Sequence, residues 1–254
     1  MSGIRGVIFD LGNTLMYMDN DWDVVRSHGA RDLVDFLTEH GFALDPSRFG
    51  EEYLTLRRSL YAKSVEQAVE YTAAHSLRTL LAQLGHEETS QELVQAAVRT
   101  FFAFEREQWK AYPQAEATLR ELSEQGYRLA LISNATDDEL IQALAERCGL
   151  RKWFDVSLTS AGVGLRKPHP GIFQVVLKGW GFPPSQVVMV GDTLRFDIAG
   201  AHNAGLKAIL AAWDLYPDYD AGADHVVPDA TAESLVHLVD LIPELGERHS
   251  AGTA

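Results

Sequence analysis

Residues 6–15 read GVIFDLGNTL: a short apolar run of strand length, a carboxylate at its end, then glycine and asparagine where the chain turns away. Further apolar runs of the same length follow at RLALIS (128–133), DVSLTS (155–160), QVVMVG (186–191) and LKAILAA (206–212), with HVVP (225–228) a weaker sixth. Helical patterns lie between them with clear punctuation. Pro113 opens one and Gly126 closes it, Thr136 with Glu139 reads as a capping box, and Gly149, Gly181 and Gly205 follow three helix ends. Strands that alternate with helices and are apolar along their whole length predict a parallel sheet covered on both faces. The expected fold class is therefore α/β, with a three-layer Rossmann-like core.

Residues 18–111 break this rhythm. They contain no convincing strand but four helical patterns, near 22–40, 46–62, 65–84 and 90–110, with capping boxes at Ser64/Gln67 and Thr89/Glu92. The expected organisation is a core of residues 1–17 and 112–254 interrupted by an all-α cap of residues 18–111, with hinges near Tyr17 and Tyr112.

With 46% hydrophobic and 23% charged residues, the chain has the balance of an ordinary globular protein. It has no apolar run near the ~20 residues of a membrane span, and its N-terminus lacks a signal-peptide pattern. The lone Cys148 reads as a half-buried helix residue that can form no internal disulfide, which fits a cytoplasmic protein. A net charge of −14 argues against nucleic acid as a partner. From Trp213 onward nine carboxylates face one Arg248, and the chain ends in a stretch expected to fray. An anionic substrate would need positive charge supplied locally, which directs attention to a metal ion.

Four stretches fall at or just beyond expected strand ends, where open α/β sheets bind ligands. FDLGNTL carries Asp10 and Thr14, and LISNATD carries Ser133 and Asn134. GLRKPHPGIF carries Lys167, and VGDTLRFDIAGAHNAG carries Asp192 and Asp197. Together, in this order, they resemble the motifs of the haloacid dehalogenase-like superfamily, in its phosphatase branch with a helical cap after the first strand. The likeness covers nearly the whole chain, cap included.

The resemblance implies a phosphohydrolase acting on a small phosphorylated metabolite, as a monomer or homodimer, with Asp10 as nucleophile and an aspartyl-phosphate intermediate. The charges agree with a metal. Two unit charges 4 Å apart repel by ~4 kcal/mol at an effective dielectric of 20. Asp10, Asp192 and Asp197 sum to −3, which Lys167 lowers only to −2. One Mg²⁺ neutralises that set before a phosphate dianion arrives. Asp10 and Asp192 suit its preference for oxygen, and the family pattern implies the Gly12 carbonyl as a third ligand. By the same resemblance Lys167 and Asp197 belong to the catalytic set, with Asp197 holding Lys167 or a metal-bound water. Ser133 and Asn134 would hold phosphoryl oxygens. Thr14 would either touch phosphate or cap the next turn.

Plainer readings stand beside these. Asp197 could cap the following helix, and His169 reads as a loop residue beside prolines. GVG at 162–164 lacks the spacing of a dinucleotide fingerprint. Position 12 departs from the family. Most of its phosphatases carry there a second aspartate that protonates the leaving alcohol, and here it is Gly12. Asp19 or Asp21 could substitute, the substrate could have a good leaving group, or the chain could be a weakened phosphatase or binding protein. Dehalogenases of the superfamily also lack that aspartate, but they attack carbon and have no use for Asp192 and Asp197. Hydrolysis of a C–P bond needs a cap lysine, and only Lys63 lies well inside the cap. Tyr53, Arg57, Arg58, Tyr61 and Lys63 on the second cap helix are the candidates for substrate contact.

Overall fold

The structure, a computed structural model, describes residues 3–215 and 220–248. Its centre is a six-stranded, wholly parallel sheet in the order β5-β4-β1-β6-β7-β8. These strands are β1 (Gly6–Phe9), β4 (Arg128–Ser133), β5 (Val156–Thr159), β6 (Val187–Gly191), β7 (Lys207–Ala211) and β8 (Ala230–Ala232). Side-chain alternation divides them between two cores. Val7, Phe9, Leu129, Leu131, Val188 and Val190 face α5 (Ala115–Glu124), α6 (Asp138–Arg147) and α10 (His237–Arg248). Ile8, Ala130, Ile132, Val187 and Met189 face α8 (Pro170–Trp180) and α9 (Ala199–Asn203). The expected three-layer α/β core is present. No helix among the described residues is long and apolar enough to cross a membrane.

The sixth strand lies elsewhere than expected. HVVP is loop, Val227 is largely exposed, and the edge strand is β8, two residues later. Pro228 has no N–H for a ladder. The side chain of Asp229 takes the Ala208 N–H (2.9 Å) and the Lys207 ammonium (2.7 Å), and pairing begins after it. The last six residues, 249–254, where fraying was expected, lie outside the described residues.

Between the first two core strands stand four helices, α1 (Trp22–Glu39), α2 (Phe49–Gln67), α3 (Ala73–Gln83) and α4 (Gln91–Gln108). Their apolar faces converge on Leu33, Leu37, Tyr53, Leu77 and Phe101, continuous with one of the two sheet cores. Three capping expectations need correction. The chain does not stop at Ser64: α2 runs on to Gln67, and the Ser64 hydroxyl accepts the Tyr71 N–H after a left-handed Ala68 breaks the helix. Ser90, not Thr89, caps α4, and Asp137, not Thr136, caps α6. In the last two cases a neighbouring acceptor lay better placed for the first free N–H groups.

The two chain crossings are not bare hinges. β2 (Met16–Met18) and β3 (Trp109–Ala111) pair antiparallel, so both strands entering and leaving the helical segment form one ribbon. Tyr17 and Tyr112 stack beside it with ring centroids 5.1 Å apart. A β-ribbon within residues expected to be helical came from strands of only three residues, too short for periodicity to register.

The helical segment depends on close approach of α1 and α4. A Cβ at Gly29 would lie 2.4 Å from the Phe101 carbonyl oxygen, a backbone atom that cannot rotate away. Gly29→Ala is expected to destabilise the protein by about 1–3 kcal/mol. Gly179→Ala on the exposed side of α8, where a Cβ meets nothing within 4 Å, should instead stabilise by about 0.5–1 kcal/mol. Denaturant midpoints of the two variants should move in opposite directions.

Candidate active site

β1, β4 and β6 are the three central strands, and their carboxyl ends deliver Asp10, Ser133 and Asp192 to one cavity of about 520 Å³. Lys167 enters from the loop before α8 with its ammonium buried. It donates to Asp10 Oδ1 at 2.5 Å, Asp197 Oδ1 at 2.6 Å and the Ile132 carbonyl at 2.8 Å. Three donors thus meet three acceptors, which is what a buried ammonium requires. Burial alone would depress the Lys167 pKa, but the two carboxylates more than offset it and raise it to about 12.

Asp197 sits in a π-helical turn, Leu194–Ile198. Its second oxygen accepts the Thr193 hydroxyl (2.6 Å) and N–H (3.1 Å), so it anchors Lys167 instead of capping α9. Asn134 acts on the same loop. Its side-chain amide donates to the Lys167 carbonyl (3.0 Å) and its oxygen accepts the Lys167 N–H (2.8 Å). Both amide ends thereby engage the backbone of Lys167, and Ser133 and Asn134 both line the cavity. Thr14 is fully buried and off the cavity wall. Asn13 and Thr193 line it instead. Asn13 holds a left-handed conformation (φ 56°) that asparagine tolerates, and its side chain donates to Asp192 Oδ2 at 3.4 Å.

Asp192 is the acid without a cation: among the described residues no ion pair reaches it. Burial, and then the charges of Asp10 and Asp197, raise its pKa to about 8. Burial raises that of Asp10 to about 7, with Lys167 pulling down and Asp197 pushing up. Two carboxylates and the Gly12 carbonyl are an oxygen set that fits a hard divalent ion keeping several waters. They fall short of an all-protein cage, and no group of three His, Cys, Asp or Glu is arranged as one among the described residues.

The substitutes expected for the missing acid lie elsewhere. Asp19 pairs with Lys110 on the surface, and Asp21 caps α1 through the N–H groups of Asp23 and Val24. Gly12 itself has an ordinary backbone, but a Cβ there would come within 3.1 Å of the Trp109 ring. Trp109, from β3, therefore occupies the space beside Gly12. Its indole N–H donates to Glu105 at 3.3 Å, and both residues line the cavity. Neither carried a sequence signal: Glu105 lies in the charged run EREQ, where a solvated face is the ordinary reading.

Of the cap candidates, Arg57, Arg58 and Tyr61 line the cavity. Arg57 stacks over Phe101 and donates to Thr136, joining α2 to the loop after β4. Tyr53 is fully buried with its hydroxyl on the Ala73 carbonyl. Lys63 is exposed and off the wall. His169 caps α8 by accepting the Gly171 N–H, and Cys148 ends α6 half-buried. A buried pair not foreseen, Glu70 with Arg166 at 3.4 Å, ties the segment after α2 to the loop that carries Lys167.

Comparison with known proteins agrees with this fold. Residues 4–205 match the haloacid dehalogenase-like hydrolase family, and the chain belongs to it. It is 28% identical over 246 residues to a glyceraldehyde 3-phosphate phosphatase of Methanopyrus kandleri, covering 96% of this chain and 99% of the relative. A ribulose-1,5-bisphosphate 5-phosphatase of Halopiger xanaduensis is 31% identical over 245 residues, with 94% and 96% covered. Among solved structures, a 2-haloacid dehalogenase from Pseudomonas syringae pv. Tomato superposes with a TM-score of 0.68 at 26% identity, covering 97% of this chain and 99% of that one.

The raised carboxyls predict a pH effect. A carboxyl whose pKa rises on folding takes up protons as the chain folds, so its contribution is complete below the unfolded value near pH ~4 and is lost as pH climbs through the folded value. In chelator, stability should fall as pH rises from about 4 to about 8, the window set by the unfolded value and by about 7 for Asp10 and about 8 for Asp192. Asp192→Asn should remove at least about 1 kcal/mol of that difference. Denaturant midpoints at the two pH values measure it.

Proposed function

We propose that the chain is a magnesium-dependent phosphohydrolase that cleaves a small phosphate monoester through an aspartyl phosphate on Asp10. The observation that carries this reading is the asymmetry of charge at the strand ends. Lys167 engages Asp10 and Asp197, while Asp192 stands in the same cavity without a cation. Bound by Asp10, Asp192 and the Gly12 carbonyl, Mg²⁺ would neutralise charge on the phosphoryl group and on the carboxylates around it. Lys167 holds Asp10 in position for attack on phosphorus and, with Ser133, offsets charge on the phosphoryl oxygens. Asp197 and Asn134 fix Lys167. Two relatives named for phosphorylated sugars support a small phosphorylated metabolite as substrate. A dehalogenase-type attack on carbon has the solved 2-haloacid dehalogenase and Gly12 in its favour, but it leaves Asp192 with nothing to hold. The lone Cys148 and ordinary composition fit a cytoplasmic protein.

Activity on an aryl phosphate should vanish in EDTA and return with Mg²⁺, and Asp10→Asn should abolish it while leaving the thermal midpoint within a few degrees. Full turnover in chelator would rule the reading out, and halide release from a 2-haloacid would favour the dehalogenase.

Residues 18–111 are proposed to form a cap that opens against residues 1–17 and 112–254 about the β2–β3 ribbon, admitting substrate and then excluding water. Val69 and Leu165 face each other in an isolated antiparallel bridge across this boundary, within disulfide reach. Oxidation of a Val69→Cys/Leu165→Cys variant should suppress turnover of a bulky phosphate about tenfold or more, and reductant should restore it. Unchanged turnover in the cross-linked form would rule out gating.

A further inference from the structure

We propose that Glu105 is the general acid and base of this enzyme, donating to the leaving alcohol from the cap side in place of the aspartate that position 12 lacks. The proposal rests on the phosphohydrolase reading above. Three carboxyls besides Asp10, Asp192 and Asp197 line the cavity: Glu70, Asp137 and Glu105. Glu70 is engaged by Arg166 and by the Ser160 hydroxyl at 2.7 Å. Asp137 caps α6 through the Leu140 N–H at 2.8 Å. Among the described residues no ion pair engages Glu105, whose carboxylate accepts the neutral indole N–H of Trp109. That same indole closes the space over Gly12, where an aspartate side chain would stand. The ring thus fills the space of one acid with one edge and holds another acid through its N–H, in the cavity that holds the nucleophile.

The surroundings suit a group that must carry a proton. Burial raises the Glu105 pKa, and the Trp109 hydrogen bond, Arg57 of α2 and Arg26 of α1 only partly oppose it, while Asp137 pushes in the same direction. In the first step a carboxylate oxygen of Asp10 bonds to phosphorus, the bond from phosphorus to the alcohol oxygen breaks, and that oxygen takes the Glu105 proton. In the second, the Glu105 carboxylate accepts a proton from the water that attacks phosphorus. The Asp10–phosphorus bond breaks with its electron pair returning to the carboxylate, and inorganic phosphate leaves with Glu105 protonated again.

The test is a leaving-group series on the full chain with Mg²⁺, from 4-nitrophenyl phosphate to ethyl phosphate. Glu105→Gln should lower kcat about 10²-fold for ethyl phosphate and leave 4-nitrophenyl phosphate within about threefold, because a nitrophenolate needs no proton. Trp109→Phe loses the N–H that orients Glu105 together with the ring edge beside Gly12, and should give a smaller selective loss. Equal losses on both substrates would make Glu105 merely structural and overturn the proposal, as would no loss on ethyl phosphate. If Glu105→Gln unfolds, Glu105→Asp decides by the same selectivity. Absence of 4-nitrophenyl phosphate turnover by the unmodified chain would instead remove the phosphohydrolase reading, and this proposal with it.

Discussion

The ammonium of Lys167, held between Asp10 and Asp197 at 2.5 and 2.6 Å, is the contact on which the rest of the site depends. Three charges are buried together there, and each ion carries a desolvation penalty of several kcal/mol that only close pairing and full hydrogen bonding offset. The fold meets that condition by bringing three separate segments to one point. Asp10 leaves the central strand, Asp197 is turned inward by a π-helical turn after β6, and Lys167 descends from a loop whose backbone is held by Asn134 at the end of β4. A sheet in another order would separate the partners and leave uncompensated charge in the interior.

That arrangement also explains why Asp192 stands apart. Lys167 has no donor left for it, and burial, followed by the charges of Asp10 and Asp197, raises its pKa. The core therefore presents, on the wall of its cavity, a buried acid with no ion-pair partner among the described residues. The same local excess of negative charge runs through a chain whose net charge is −14, so Lys167 is the positive charge buried between the Asp10 and Asp197 carboxylates of the cavity.

The helical segment contributes more than a cover. Its exit strand places Trp109 against Gly12, its last helix aims Glu105 into the cavity, and Glu70 and Arg57 tie it to the loops after β4 and before α8. Groups that touch the core from that segment sit beside the very residues that hold the nucleophile. Any side chain at position 12 would compete with the indole for one small volume, because a Cβ there would lie 3.1 Å from the ring.

Much of this was legible in the chain. The five main strands, the four-helix interruption and the grouping of Asp10, Ser133, Asn134, Lys167, Asp192 and Asp197 at strand ends followed from local patterns, because period-2 and period-3.6 apolarity and strand-end polar residues are properties of contiguous sequence. Where the sequence reading failed, the deciding partner was a neighbour it could not weigh. Ser64 lost its capping role to a turn seven residues on, and HVVP lost its place in the sheet to Asp229 and a proline. Sequence by itself determined which elements form and which side chains are available for chemistry. Only the tertiary structure decided that Asn134 holds Lys167, that Thr14 is buried off the wall, and that Trp109 fills the space at Gly12. Those outcomes depend on which distant groups meet in a desolvated volume, and no local pattern encodes that.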